Sequence, residues 1–210
     1  QDEHGALWVI PNGGTFSYYD RKKKELVPYL LKSNSSANAL IPKITKFTIS
    51  DQSILWLTGI HDLTQINFKN HEYTLSQIEN TEKEVRAVAL DHNHNYWDGF
   101  ANGTIKISNE LHQKLGYLTP GGQLSPTPVA FSTAGIYSLY EDSEERMWVG
   151  TKGDGLYMIK DGNIHHFTYN PAAPYSLPSN NVYDIVSDRE SRVWIGTYGE
   201  GLVMAKNIDG

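Results

Sequence analysis

Five groups of residues have the types and spacing to do chemistry, and each also has a plainer reading. His92-Asn93-His94 has the look of a metal tract. It occupies the turn before Trp97, however, where other copies of the same motif carry ordinary polar residues, so no metal is assigned. His165 and His166 are adjacent on an expected strand and point to opposite faces, which keeps them from sharing one ion. Arg21-Lys22-Lys23-Lys24 could gather an anion, but it sits between two strand-like stretches and is read as a solvated hairpin tip. Asn34-Ser35-Ser36 and Asn102-Gly103-Thr104 match a glycosylation sequon, which means little if the source is bacterial.

The fifth group is a recurring aspartate and tryptophan, a pair able to hold a sugar. An aspartate stands six residues before the tryptophan at Asp2, Asp91, Asp142 and Asp188, and five before it at Asp51. One functional pocket has no use for five copies, so Asp142, Trp148, Asp188 and Trp194 are read as structural. A propeller glycosidase is the enzyme alternative, because sialidase repeats also pair Asp with Trp. That chemistry needs a carboxylate pair, or a tyrosine nucleophile with clustered arginines. The chain has five arginines, and Arg146, Arg189 and Arg192 fall in turns at the rim opposite the expected ligand face. No catalytic residue and no cofactor is assigned.

The elements that position these residues follow from the repeat itself. Tryptophans at Trp8, Trp56, Trp97, Trp148 and Trp194 are spaced 48, 41, 51 and 46 apart. Ile136 to Asp142, then Arg146-Met147-Trp148-Val149-Gly150-Thr151 and Gly155-Leu156, aligns with Val182 to Asp188, Arg192-Val193-Trp194-Ile195-Gly196-Thr197 and Gly201-Leu202. Within the last unit, Val182 to Val186 suits an inner strand covered on both faces. Asp188 to Ser191 is a turn in which the aspartate accepts downstream N–H groups. Val193 to Ile195 is a second strand, and Leu202 to Ala205 a third; in the preceding unit, Ile164 to Tyr169 is an outer fourth. Four antiparallel strands per 40–50 residues is the period of a propeller blade. A solenoid needs shorter periods, and helical spacing is absent. Ser33 to Asn38 and Leu118 to Pro128 are read as loops.

The fold class is therefore all-β: residues 1–210 form a partial β-propeller of about four and a half blades, part of a larger one of the seven-bladed type. The remaining blades are expected from the same protein or from another chain. The chain of 210 residues is 39% hydrophobic, enough for a substantial core. Its 24 acidic and 18 basic residues leave a net charge of −6, which argues against nucleic acid as a partner. Without cysteine there is no disulfide or thiolate chemistry. No apolar run approaches the ~20 residues of a membrane span, so the chain as given is expected to be soluble and without an export signal.

Around Trp148 and Trp194, with Tyr175-Ser176-Leu177-Pro178-Ser179-Asn180-Asn181 leading into the next strand, the sequence resembles the two-component regulator propeller repeat. The resemblance is strong over residues 136–206 and weak before them. The family pattern favours glycine three residues after the aspartate. Gly5 fits, whereas His94, Glu145 and Ser191 stand at that place in other copies. Membership implies the periplasmic sensor region of a hybrid two-component histidine kinase of a glycan-degrading bacterium, a homodimer as the whole sensor, with an oligosaccharide as ligand and no catalysis in this region. A protein-interaction scaffold is the other alternative.

Loops entering first strands and joining second to third strands vary between copies, and variation on a constant scaffold is where a binding face can be built. The expected ligand-binding residues are His61, Asp62, Phe100, Asn102, Lys152, Asp154, Tyr175, Asn180, Asn181, Tyr198 and Glu200. Their aromatic faces and planar polar groups suit sugar C–H bonds and hydroxyls.

Overall fold

Alternating apolar residues broken by Asp, Asn and Gly turns fold this chain as successive antiparallel meanders, each strand bonded to the one before it. The computed structural model describes residues 7–9, 17–28 and 84–205, and the backbone of four strands between residues 46 and 78. The chain divides into two compact units, Gln1–Thr81 and Glu82–Gly210. The first holds a sheet of β1 (Leu7–Val9), β2 (Ser17–Asp20) and β3 (Glu25–Pro28), and another of β4 (Lys46–Ile49), β5 (Ile54–Thr58), β6 (Leu63–Asn67) and β7 (Leu75–Ile78). Trp8 is buried in β1 and tilts against Tyr18 at 5.7 Å. Arg21 to Lys24 form an exposed turn between β2 and β3, and Asp20 accepts the N–H groups of Lys22 and Lys23.

The second unit holds three sheets. The first runs β8 (Val85–Leu90), β9 (Tyr96–Phe100), β10 (Ile105–Ser108), β11 (Lys114–Leu118) and β12 (Leu124–Ser125). The next runs β13 (Ile136–Glu141), β14 (Met147–Thr151), β15 (Leu156–Lys160) and β16 (Asn163–Phe167), and the last β17 (Val182–Ser187), β18 (Val193–Thr197) and β19 (Gly201–Met204). No helix occurs among the described residues, and the sheets are those of a partial β-propeller. The expected loop at Leu118 to Pro128 is only partly one. Thr119 to Gly122 make a turn, closed by the Thr119 N–H to the Gln123 carbonyl at 2.9 Å, and β12 adds a fifth strand outside β11.

Sheets of the second unit join face to face through their first strands, β13 lying against both β8 and β17. The indoles fill those joints. Trp97 packs with Ile136, Leu139 and Val149 of the next sheet, and Trp148, fully buried, packs with Val182, Ile185 and Ile195. Two residues after each indole, the motif glycine faces the same neighbour. A Cβ at Gly99 would stand 2.5 Å from Ile136 Cγ2, and one at Gly150 2.6 Å from Val182 Cγ1. Trp-x-Gly thus sets an indole beside a gap that only a hydrogen atom fits.

Candidate functional site

The two rims of the second unit are built on opposite rules. At the rim of the turns between first and second strands, one arrangement repeats. Asp142 Oδ1 accepts the N–H groups of Glu144 at 2.9 Å and Arg146 at 3.1 Å, while Oδ2 accepts Arg146 Nε–H and the Trp148 indole N–H, both at 2.7 Å. Asp188 repeats all four bonds with Glu190, Arg192 and Trp194. Asp91 repeats the turn with Asn93 and Asn95 and the indole bond to Trp97 at 2.9 Å. Burial pushes the Asp142 carboxyl up, but the bonds from Trp148 and Arg146 outweigh it and hold the group below its ordinary range. For Asp188 the indole bond from Trp194 leads, and its carboxyl too is held well below that range.

The third residue after each aspartate has a left-handed backbone. His94, Glu145 and Ser191 have φ of 60°, 61° and 59°, which explains the family preference for glycine there. At the same rim His92 Nδ1 lies 2.8 Å from Glu141 Oε1 of the next sheet. That bond holds the imidazole pKa above its usual value. His165 and His166 do face apart, His165 stacking beside Phe167 and His166 lying flat on Tyr157 with centroids 4.0 Å apart.

At the other rim the backbone is constant and the side chains are not. Thr151 donates its hydroxyl to the Gly155 carbonyl at 2.8 Å, and Thr197 does the same to Gly201 at 3.0 Å. The next residue ties down the entrance of the first strand: Ala101, Lys152 and Tyr198 donate their N–H groups, each at 3.0 Å, to the carbonyls of Glu84, Gly135 and Asn181. Just inside that bond every first strand carries a bulge. Pairing skips Arg86 in β8, Tyr137 in β13 and Tyr183 in β17. A bulge adds one residue opposite none and re-aims its side chain. The re-aimed groups meet in a row, with Arg86 Cζ 5.4 Å from the Tyr137 ring, Tyr137 5.0 Å from Tyr183, and Tyr183 5.4 Å from Tyr198. Lys152 Nζ lies 5.7 Å over Tyr137.

Of the residues expected to bind ligand, Lys152, Asn181 and Tyr198 come together on this row, joined by a β-bridge from Lys152 to Asn181. Asn180 braces it from below, its carbonyl accepting the N–H groups of Gly153 and Gly155 and its side chain that of Tyr169. Glu200 is exposed two residues after Tyr198. Asp154 is committed elsewhere. Its Oδ2 accepts Ser132 Oγ–H at 2.6 Å and Tyr157 O–H at 2.7 Å, which fastens the connection between sheets to the loop. Burial raises the Asp154 pKa, but those bonds and the nearby His166 outweigh it and leave the group low. Burial and the same bond push the Tyr157 hydroxyl up to about 12.

Asn102 is exposed and closes its own turn by accepting the Thr104 N–H. Phe100 requires a correction: it is fully buried, because it takes the place of Thr151 at the end of a second strand, one residue short of the loop. Tyr175, 99% exposed, stands apart from the row, at a groove of about 910 Å³ lined also by Phe167, Pro174, Leu177 and Val203. His61 and Asp62 lie outside the described residues. Arg86, Tyr137 and Tyr183 escaped the sequence reading. Their signal is a large or charged residue after the first apolar residue of each first strand, and it contradicts the expected burial of both faces: Tyr183 is 39% exposed.

Comparison with known proteins agrees with this architecture. The family model described as two component regulator propeller matches residues 130–153 and 176–199. Among solved structures, the extracellular domain of the one component system BT4673 of B. thetaiotaomicron has 18% identity and a TM-score of 0.67, over 96% of this chain and 26% of that one. The extracellular domain of the hybrid two component system BT3049 of the same organism has 19% identity and a TM-score of 0.62, over 94% of this chain and 24% of that one. Virginiamycin B lyase of Staphylococcus aureus has 13% identity and a TM-score of 0.61, over 99% of this chain and 68% of that one. The chain thus spans about a quarter of the length of the two extracellular domains. The curated proteins give no match. The chain is thus a partial β-propeller, and the stretches holding Trp148 and Trp194 are the ones that match the two component regulator propeller model.

Proposed function

We propose that this chain is the ligand-sensing propeller of a hybrid two-component sensor. It lies in the periplasm, recognises an oligosaccharide, catalyses nothing and passes the event to a histidine kinase elsewhere in a homodimeric protein. Further blades of that protein, or of another chain, complete the ring, and nucleic acid is no partner. The observation that carries this reading is the contrast of the rims: one set of Asp, Trp and backbone bonds repeats from sheet to sheet, while the opposite rim holds different side chains on the same backbone bonds. The repeats at 130–153 and 176–199 and the likeness to extracellular sensor domains support it.

The likeness to a lyase favours an enzyme as the second reading. Against a glycosidase, that chemistry asks for two cooperating carboxyl groups, and Asp154 Oδ2 already holds Ser132 and Tyr157. The test is a thermal-shift screen of the whole chain against oligosaccharides, with chromogenic glycosides in parallel. A sensor is stabilised by its ligand and turns nothing over, whereas turnover would replace the sensor by the enzyme. Tyr198→Ala is expected to weaken oligosaccharide binding at least threefold by calorimetry without lowering the melting temperature. Unchanged affinity removes Tyr198 from the site.

A further inference from the structure

We infer that the row made by Arg86, Tyr137 and Tyr183, with Lys152 and Tyr198 beside it, binds an anionic saccharide, the acid group seated between Arg86 and Lys152 and the sugar on the tyrosine rings. This rests on the saccharide reading above and adds the charge class and the residues that read it. Three independent features point the same way. First, three successive sheets bulge at the same position, so the outward aim of Arg86, Tyr137 and Tyr183 is built into the repeat rather than being an accident of one loop. Second, two cations converge within 6 Å of the single ring of Tyr137, in a chain whose net charge is −6. Third, the charge there is incompletely matched. Arg86 pairs with Glu84, and since its Nε is buried, an anion can meet only the exposed end of its guanidinium. Lys152 is exposed and pairs with no carboxylate among the described residues.

A carboxylate or sulfate completes this arrangement, since charge-assisted bonds from guanidinium and ammonium are the strong ones. Aromatic rings present a face to the C–H side of a sugar, and Tyr183 and Tyr198 are 39% and 69% exposed for that purpose. A neutral sugar would use the rings and leave the cations idle.

Calorimetry on the whole chain tests this with tetragalacturonate, its full methyl ester, a chondroitin sulfate tetrasaccharide, the desulfated tetrasaccharide, and neutral maltotetraose and xylotetraose. The expected result is binding of tetragalacturonate or a chondroitin fragment, at least tenfold weaker binding of the methyl ester, and at least tenfold loss in Lys152→Gln. Weakening by salt should accompany it. Need for the sulfated fragment identifies sulfate as the group read; equal binding of the desulfated one identifies the carboxylate. Lys152→Gln changes an exposed side chain, and an unchanged melting temperature verifies its fold. Tyr183→Leu, which keeps bulk and removes the aromatic face, is expected to weaken the same ligand without altering its salt dependence. Equal affinity for the acid and its methyl ester, or indifference to Lys152→Gln, overturns the anionic class and leaves the saccharide reading standing. Binding of the neutral sugars alone does the same. Failure of every saccharide in the panel overturns both.

Discussion

The sheets β13–β16 and β17–β19 carry the same clamp in different surroundings. Around Trp148 the Asp142 and Arg146 side chains are 1% and 8% exposed; around Trp194 those of Asp188 and Arg192 are 26% and 46% exposed. The bonds themselves differ by no more than 0.1 Å. Geometry therefore does not separate the two copies, but water does. In the first, a neighbouring sheet removes the solvent that would otherwise replace a lost bond, and in the second that solvent remains. The motif is thus shielded where a following sheet packs against it and open to water at the last sheet of this chain.

Several substitutions break or sharpen this contrast. The largest effect is expected from Asp142→Asn, which takes the Asp142 charge from the buried Arg146 guanidinium, leaving it the pair with Glu144, and gives the Trp148 indole a weaker acceptor. It should cost about 3 kcal/mol; Asp188→Asn should cost clearly less. Chemical denaturation of the two variants reads the difference, and equal losses would show that burial is irrelevant to the clamp. The acid dependence follows from the same groups. The folded pKa of Asp142 lies below its unfolded value, so its contribution is complete above about pH 4 and fades as pH falls through the folded value. Melting temperatures measured from pH 6 to 2 should fall, and Asp142→Asn and Asp188→Asn should each flatten that slope.

Next in size is the glycine pair. Gly150→Ala forces a methyl group into Val182 and Ser138 and should cost about 1–3 kcal/mol. Gly196→Ala meets nothing closer than 3.7 Å and should be near neutral in this chain. Smallest is a gain: Ser191→Gly relieves a left-handed serine and should raise stability by about 0.5–1 kcal/mol, with Glu145→Gly similar. A loss in both would mean that the side chains contribute more than the backbone strain.

Much of the scaffold was legible because it is written in residues that have one job. Trp148, Gly150 and Thr151 recur with Trp194, Gly196 and Thr197, and the turn aspartates advertise a reversal. The indole-to-carboxylate bond was not legible, since it depends on how the turn folds Asp142 back over a side chain six positions away. The bulges were hidden for a similar reason. Val182-Tyr183-Asp184-Ile185 has the composition of a strand buried on both sides, and only the pairing register reveals that Tyr183 has dropped out of it. Phe100 was misplaced by one position, where an apolar residue replaces the threonine of its relatives. The two-residue strand β12 is too short to stand out among prolines and glycines.

The segments Thr151-Lys152-Gly153-Asp154-Gly155 and Thr197-Tyr198-Gly199-Glu200-Gly201 are hung from the same hydroxyl bond, and their glycines all have positive φ. Between the anchors the two differ: Asp154 is tied to Ser132 and to Tyr157 of the sheet below, whereas Tyr198 turns to Tyr183. Recognition can drift by swapping Lys152 or Tyr198 while the framework holds still, and grafting the first segment onto another sheet should carry its contacts only if Ser132 and Tyr157 travel with it.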